Sequence, residues 1–209
     1  MSTVAVLGAG VIGVAAPAAA APQCPDIEVV FARGTDEVPG LGKVGQALVE
    51  TLQPLVKGKS IGTYAVRYPA SWDFLQIAAG ANDASKRIQA TAARCPDTKI
   101  VLGGYSQGAA VMDVVTTSPV PGLGFTAPLP GSVAPNIAAI AVFGNPSARV
   151  GMPLTMMSPV YGGRTADLCN TGDPICSAGR DVDAHTSYRQ SGLVKTAADW
   201  IAGHLQPRD

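Results

Sequence analysis

Apolar residues in this chain fall into short continuous runs that are separated by stretches with helical spacing. The runs predict β-strands over residues 27–32, 61–68, 99–103, 137–143 and 164–168. Helical spacing predicts helices over residues 45–56, 78–93, 109–115 and 191–205, and the proline- and glycine-rich stretch 118–135 is expected to be a surface loop. Strands that alternate with helices favour an α/β fold, in which a mostly parallel five-stranded sheet carries helices on both faces.

Size and charge narrow the class of protein. The chain has 209 residues, which is enough for one domain with a substantial core. Lys and Arg total 15, as do Asp and Glu, so the net charge is zero. Electrostatic attraction to nucleic acid therefore has no basis in the composition. Charged residues make up only 14% of the chain, which is typical of a compact secreted protein, and we expect a monomer.

The N-terminal segment has the pattern of an export signal. An apolar stretch over residues 4–16 is followed by small residues up to Ala21. We predict a signal peptide over residues 1–21 and a mature domain over residues 22–209, secreted or retained at the cell envelope. The stretch lacks the preceding basic residues of a usual signal, and it is too short to span a bilayer.

A second interpretation of the same segment is a nucleotide-binding turn. Residues 8–13 (Gly-Ala-Gly-Val-Ile-Gly) match the Gly-x-Gly-x-x-Gly fingerprint of dinucleotide-binding folds. Pro17 and Pro22 interrupt the helix that should follow, and no acidic residue closes a clear second strand. The export signal is favoured, and a nicotinamide-dependent oxidoreductase remains an alternative.

Four cysteines fit an exported chain and allow three disulfide pairings. Cys169 and Cys176 bracket a short loop, which favours their pairing and leaves Cys24 with Cys95. Four buried free thiols are the alternative. The spacings do not match a compact zinc site, and only two histidines are present. We expect no metal and no organic cofactor.

Residues 104–108 (Gly-Tyr-Ser-Gln-Gly) are the most informative stretch of the chain. They place Ser106 between two glycines, directly after a predicted strand and before a predicted helix. Such a turn presents a serine in a strained conformation, and glycine is needed on both sides because a side chain would clash there. The N–H of Gln107, at the start of the helix, is free to stabilise an oxyanion. A glycine-rich turn without chemistry is the alternative in a chain with 24 glycines.

A serine nucleophile needs a base, and two histidines follow it in the sequence. His204 lies in the last turn of the terminal helix and is expected to be solvated. His185 lies in a polar segment predicted to be a loop, from which its ring could swing over Ser106. His185 is therefore the expected general base, with an ordinary surface histidine as the alternative.

The acid that orients the base is expected to be Asp173. It lies inside the short loop between Cys169 and Cys176, and a cross-link there would limit the orientations of its carboxylate. An aspartate that forms a turn before Pro174 is the alternative. The candidates considered, all of which precede His185, are Asp167, Asp173, Asp181 and Asp183.

Four segments together resemble the cutinase family of secreted serine esterases. The resemblance runs from about Cys24 to the C-terminus, and Cys-Asn-Thr-Gly-Asp-x-x-Cys is its most specific part. It implies a small α/β-hydrolase without a large lid, a triad of Ser106, Asp173 and His185, and a second oxyanion donor at Thr35. The segments are residues 31–35 (Phe-Ala-Arg-Gly-Thr), residues 104–108, residues 169–176 and the later His185.

The resemblance also implies a substrate class. It points to hydrolysis of carboxylic esters of short to medium acyl chain through an acyl-enzyme, with transient contact with a lipid interface. The alternatives are a lipase or phospholipase on the same scaffold, and a secreted binding protein that has lost turnover. Residues 71–75 depart from the fungal pattern, so cutin itself is not the expected substrate. The expected apolar rim of the site comprises Trp72, Phe74, Leu75, Ile77, Ile175 and Val182.

Overall fold

The computed structural model describes Met1 and residues 24–206. The predicted signal peptide beyond Met1 and the glycine fingerprint at residues 8–13 lie outside the described residues. Within the described part of the chain, no helix combines the length and the apolar character needed to cross a bilayer.

Five parallel strands form one sheet in the order β2-β1-β3-β4-β5. From β1 the chain passes to the edge strand β2, and it then crosses back to β3 on the other side of β1. β4 and β5 extend the sheet to the opposite edge. Ligands of open α/β sheets bind at such a reversal, beyond the carboxyl ends of the two central strands. Here those strands are β1 and β3. The strands are β1 (Ile27–Ala32), β2 (Ile61–Ala65), β3 (Lys99–Tyr105), β4 (Ile137–Phe143) and β5 (Thr165–Leu168).

Helices cover both faces of the sheet, as predicted. Strand residues alternate between the faces, so Val29 and Val101 pack toward α1 and α7 while Val30 and Leu102 pack toward α2 and α3. The helices are α1 (Gly42–Leu52), α2 (Ile77–Arg94), α3 (Gln107–Thr117), α4 (Pro146–Arg149), α5 (Leu154–Met157), α6 (Val182–Thr186) and α7 (Leu193–Leu205). The predicted α/β architecture is confirmed.

Several element boundaries differ from the sequence prediction, and at two of them a side chain replaces a backbone partner. β2 ends at Ala65 rather than residue 68, since the N–H of Arg67 donates to the carboxylate of Asp83 (2.8 Å) instead of a neighbouring strand. α1 begins at Gly42 rather than residue 45, since Glu37 accepts from the N–H of Lys43 (2.8 Å). Apolar spacing carries no signal for either contact.

Both predicted disulfides are present, so the alternative of four free thiols is wrong. Cys24–Cys95 ties the segment before β1 to the end of α2 and spans 71 residues. Cys169–Cys176 closes a small loop after β5 and spans 7 residues. The two bonds therefore constrain very different lengths of chain.

Candidate active site

Ser106 lies at the sharp turn between β3 and α3, with φ of +55° and ψ of −118°. A non-glycine residue rarely adopts a positive φ, and such residues cluster at functional sites. The flanking glycines make the turn possible: a Cβ on Gly104 would lie 2.2 Å from the carbonyl oxygen of Gly108, and one on Gly108 would lie 2.0 Å from that of Ala32. The turn predicted from the motif is therefore present.

Three side chains predicted as the triad form one hydrogen-bonded line. The Nε2 atom of His185 lies 2.9 Å from the Oγ of Ser106, and its Nδ1 lies 2.8 Å from the Oδ2 of Asp173. Asp173 is fully buried, whereas Ser106 and His185 are partly accessible. A carboxylate in this position fixes the imidazole so that the opposite nitrogen faces the serine.

The Asp173 carboxylate has two further partners that hold its orientation. The N–H of Ile175 donates to its Oδ1 (2.7 Å), and the hydroxyl of Tyr188 donates to its Oδ2 (2.6 Å). Burial, together with the hydrogen bond to Asp173, raises the pKa of Tyr188 above its usual range, so the phenol stays protonated and remains a donor. Sequence reasoning missed Tyr188, because a tyrosine outside every motif gives no signal of its partner.

His185 lies in the short helix α6, so the prediction that it sits in a swinging loop is wrong. Asp181 caps this helix by accepting from the N–H groups of Asp183 (3.0 Å) and Ala184 (3.2 Å). The hydroxyl of Tyr105 donates to the His185 carbonyl (2.7 Å), and its ring stacks on the imidazole at 5.1 Å. An aspartate is a favoured residue at the start of a helix, so Asp181 is the sequence signal for α6.

The other candidate aspartates and the second histidine lie elsewhere. Asp167 accepts from the side chain of Asn145 (3.0 Å) and from the N–H of Leu154 (2.8 Å), away from the imidazole. His204, as expected, lies at the end of α7 and bonds to the backbone of its own helix. Asp173 is thus the aspartate that the fold places against His185.

Gly144, directly after β4, leaves the space that the His185–Asp173 pair occupies. Its φ is +60°, and a Cβ there would lie 2.8 Å from the Cε1 of His185 and 3.2 Å from the Oδ2 of Asp173. Both the backbone conformation and the space require glycine at this position.

The two expected oxyanion donors follow neighbouring strands. Thr35 follows β1, Gln107 follows β3, and Ala32 pairs with Gly104 at the ends of these strands. Both residues line the cleft that contains Ser106. As the first residue of α3, Gln107 has no partner for its N–H within the helix.

Hydrogen bonds from neighbouring polar groups hold the turn that carries Thr35. Glu37 accepts from the N–H of Gly34 (2.8 Å). The Arg33 guanidinium, itself buried, donates to the Glu37 carbonyl (2.7 Å) and to the carbonyls of Tyr68 (2.9 Å) and Pro69 (3.2 Å). These bonds set the position of the Thr35 backbone before a substrate arrives.

An open cleft of about 540 Å³ lies over Ser106. Trp72, Phe74 and Ile175 line it, as the sequence predicted. The predicted rim residues Leu75 and Ile77 instead line a separate groove, and the exposed Val182 lines neither. Sequence reasoning missed four lining residues that come after β4 or β5 in the chain: Pro146, Arg149, Pro174 and Thr186.

A comparison with known families decides which family this site belongs to. The family model described as Cutinase matches residues 23–205, which is most of the chain. The chain belongs to the cutinase family. The resemblance stated from the motifs is therefore confirmed.

Two relatives from Mycobacterium tuberculosis extend the match. The chain is 56% identical over 192 residues to Phospholipase Culp4, covering 90% of this chain and 84% of the relative. It is 47% identical over 195 residues to Carboxylesterase Culp1, covering 90% of this chain and 85% of the relative. These relationships identify this cutinase-family member as a carboxylic ester hydrolase rather than an oxidoreductase.

Solved structures share the fold. A Trichoderma reesei cutinase in complex with a phosphonate inhibitor superposes with a TM-score of 0.70 at 30% identity, covering 88% of this chain and 78% of that chain. An acetylxylan esterase superposes with a TM-score of 0.74 at 26% identity, covering 88% of this chain and all of the other. Both have α/β-hydrolase-type folds, so the predicted fold class of this cutinase-family member is confirmed.

One cluster of cysteine and aspartate side chains near the site contains the residue types of a metal site, but its atoms are not available as ligands. The sulfurs of Cys169 and Cys176 and a carboxylate oxygen of Asp173 lie within 4.8 Å of one another. The two sulfurs are joined in a disulfide, so they offer no thiolate to a metal. The carboxylate is already bonded to His185 and Tyr188.

Proposed function

We propose that this cutinase-family esterase hydrolyses carboxylic esters of short to medium acyl chain through an acyl-enzyme on Ser106. His185 accepts the serine proton at Nε2 as Oγ attacks the ester carbonyl, and then donates it to the leaving alcohol. Asp173 holds the tautomer that carries a proton on Nδ1 and stabilises the imidazolium. The observation that carries the proposal is the line Ser106–His185–Asp173, with distances of 2.9 and 2.8 Å.

The negative charge that develops on the carbonyl oxygen needs donors that are already in place. The N–H groups of Gln107 and Thr35 would supply them, since both residues line the cleft beside Ser106. The Thr35 hydroxyl would add a third donor. Its extra methyl, relative to serine, narrows the choice of rotamer.

The second half of the reaction releases the acid. Water attacks the acyl carbonyl while His185 takes a proton from it, and the proton then returns to the Oγ of Ser106 as the acyl–oxygen bond breaks. The cleft is open to solvent, so this water reaches the acyl-enzyme directly. The products are the carboxylic acid and the alcohol, and no cofactor takes part.

The test is hydrolysis of p-nitrophenyl esters with acyl chains from two to sixteen carbons. We expect Ser106→Ala and His185→Ala to lower kcat by roughly 10⁴- to 10⁶-fold, as for other serine hydrolase triads. His204→Ala is the matched control, because it removes the other histidine of the chain and leaves the site intact. Mass spectrometry after reaction with an alkyl phosphonate should show one adduct on Ser106 in the unmodified chain.

Turnover that survives in Ser106→Ala would contradict the mechanism. A folded enzyme that hydrolyses none of the esters and takes no phosphonate would favour the secreted binding protein instead.

A second candidate function is hydrolysis of lipid esters. The 56% identity to Phospholipase Culp4 favours it, as does the apolar lining that Trp72, Phe74 and Ile175 give the cleft. Activity on phospholipid dispersions that exceeds activity on soluble short-chain esters would support this candidate. An optimum at short chains, with no activity on phospholipid, would favour the simple esterase.

We further propose that the enzyme acts outside the cytoplasm, as a monomer that contacts lipid surfaces transiently. Two disulfides in a chain of this size are typical of proteins that fold in an oxidising compartment. Mass spectrometry of the N-terminus of protein recovered from the culture medium and the cell envelope tests the site of cleavage and the location. Sedimentation of the purified protein tests the monomer.

A further inference from the structure

A second apolar groove, which we call the Leu123 groove, lies beside the catalytic cleft and has a volume of about 340 Å³. Its walls come from the start of α2, the end of α3 and the loop after α3. Among the residues that the structure describes, the lining carries a single polar side chain, Ser118, and no charge. The lining residues are Phe74, Leu75, Ile77, Ala78, Val114, Ser118, Val120, Gly122, Leu123 and Phe125.

Phe74 joins the groove to the catalytic cleft. It lines both spaces and stands in a single helical turn, residues 74–76. Asp73 caps this turn by accepting from the N–H of Leu75 (3.2 Å). The Phe74 ring is about half exposed and meets the Trp72 ring edge-on at 6.3 Å. The two spaces are therefore neighbours, and they share an apolar residue, Phe74.

The rim of the groove holds leucine in a conformation that glycine normally takes. Leu123 has φ of +48° and its side chain is fully exposed. The turn around it is closed by two hydrogen bonds between the backbones of Gly122 and Phe125, of 2.9 and 2.8 Å. A large apolar side chain here gains no burial within the chain and adds backbone strain, which is the kind of feature that functional sites retain.

We propose that the Leu123 groove binds the distal part of a hydrocarbon chain of the ester substrate, which reaches it from the catalytic cleft across Phe74. The inference rests on the proposed function, because the carbonyl at Ser106 sets the start of the chain. The almost purely apolar lining suits a hydrocarbon, and among its described residues Ser118 is the one polar side chain that it offers to a peptide backbone or a headgroup. The polar end of the substrate stays in the cleft, which Thr35 and Arg149 line.

The test compares two matched substitutions, Val120→Asp and Val160→Asp. Both valines are exposed, at 66% and 55%, but Val120 lines the groove whereas Val160 lines neither space. The measured quantity is the ratio of kcat/KM on p-nitrophenyl dodecanoate to that on butyrate, below the concentrations at which either ester aggregates. Each methylene buried in the groove is worth about fourfold in this ratio. We expect Val120→Asp to lower the ratio tenfold or more, with butyrate hydrolysis unchanged, and Val160→Asp to leave both rates unchanged.

Leu123→Gly gives a second variant whose fold is not at risk, since glycine suits the positive φ. It should unfold no earlier than the unmodified chain and still lower the ratio. Titration of dodecanoate into the Ser106→Ala enzyme gives a readout without turnover. The affinity for dodecanoate should be lower in the double variant Ser106→Ala, Val120→Asp than in Ser106→Ala.

Two sources of the hydrocarbon chain are separable. A groove that holds the acyl chain lowers the dodecanoate ratio, whereas a groove that holds a second chain lowers hydrolysis of monomeric diheptanoyl phosphatidylcholine relative to its monoacyl counterpart. Either result supports the proposal. An unchanged ratio on both substrate pairs, or an equal loss in Val160→Asp, would overturn it.

Loss of binding to phospholipid vesicles, with unchanged rates on monomeric substrates, would also overturn it, because the rim would then be a membrane contact rather than a chain-binding site. Failure of the proposed function looks different. In that case Ser106→Ala would keep its activity on butyrate, whatever the groove variants do.

Discussion

The hydroxyl of Tyr188 donates to the same Asp173 oxygen that accepts from His185, at 2.6 Å against 2.8 Å. Tyr188 is fully buried, and its ring meets those of Phe143 and Tyr105 edge-on, each at 5.8 Å. The carboxylate that orients the imidazole is therefore anchored to the hydrophobic core on the α1 and α7 face of the sheet. Its position depends on packing as well as on the disulfide loop that carries it.

Tyr188→Phe should lower both stability and turnover. It removes one partner of a buried carboxylate and the acceptor of the Asn170 N–H (3.0 Å), which should cost about 1–3 kcal/mol in the free energy of unfolding. We expect kcat to fall roughly tenfold with little change in KM, since the imidazole is less well held in the transition state. Urea unfolding and ester kinetics measure the two effects.

Tyr161→Phe is the control for that substitution. Tyr161 is also buried, but it packs on the opposite face of the sheet, in the cluster with α2 and α3. A loss of kcat in Tyr161→Phe as large as in Tyr188→Phe would show that the effect comes from general loosening of the core.

Gly144→Ala should damage the site more than the fold. The new Cβ would meet the imidazole of His185 at 2.8 Å, so the ring must move away from Ser106. We expect kcat to fall 10- to 100-fold, because small misplacements of a catalytic group have effects of this size. Gly151→Ala is the matched control: its φ is +78°, but nothing lies within 4 Å of its Cβ. Equal kcat in the two variants would contradict the steric role of Gly144.

Removal of one disulfide should mainly lower stability, whereas removal of the other should also lower kcat. On the loop-entropy model, removal of Cys24–Cys95 by paired Ala substitutions costs about 4 kcal/mol, and removal of Cys169–Cys176 costs about 2 kcal/mol, because their loops span 71 and 7 residues. The smaller loop carries Asp173, so its loss should reduce kcat severalfold. The larger disulfide should leave kcat of the folded enzyme unchanged. A larger loss of kcat on removal of Cys24–Cys95 than on removal of Cys169–Cys176 would contradict this prediction.

The free energy of unfolding should fall as the pH rises through the range in which the Asp113 carboxyl loses its proton. Burial raises the pKa of this carboxyl to about 6, although Ser147 and Asn145 donate to it. The folded state thus keeps a proton that the unfolded state loses near pH 4. The contribution is fully present below about pH 4 and is lost by about pH 6, at a cost of up to about 3 kcal/mol.

Asp113→Asn removes this titration. We expect the stability of the variant relative to the unmodified chain to improve between about pH 4 and pH 7 in urea unfolding. Asp97→Asn, at an exposed turn, is the matched control. Parallel pH profiles for the unmodified chain and Asp113→Asn would mean that Asp113 titrates as an ordinary carboxyl.

The sequence was sufficient where chemistry depends on neighbours along the chain. The run of residues 99–103 followed by Gly-Tyr-Ser-Gln-Gly predicted the strand, the turn and the helix that present Ser106, because the turn's sterics are local. The strands over residues 27–32 and 137–143 were predicted with the bounds that the structure gives. Short spacing likewise favoured the Cys169–Cys176 pair.

Only the tertiary structure decided what depends on contacts distant in sequence. Three features join segments from different strands or loops: the hydrogen bond of Tyr188 to Asp173, the space that Gly144 leaves for His185, and the position of Phe74 between the cleft and the groove. The helix around His185 was misjudged because a five-residue helix has too little periodicity to detect and forms through its Asp181 cap and its contacts. Local patterns determined the turn that carries Ser106, and long-range packing determined which side chains surround it.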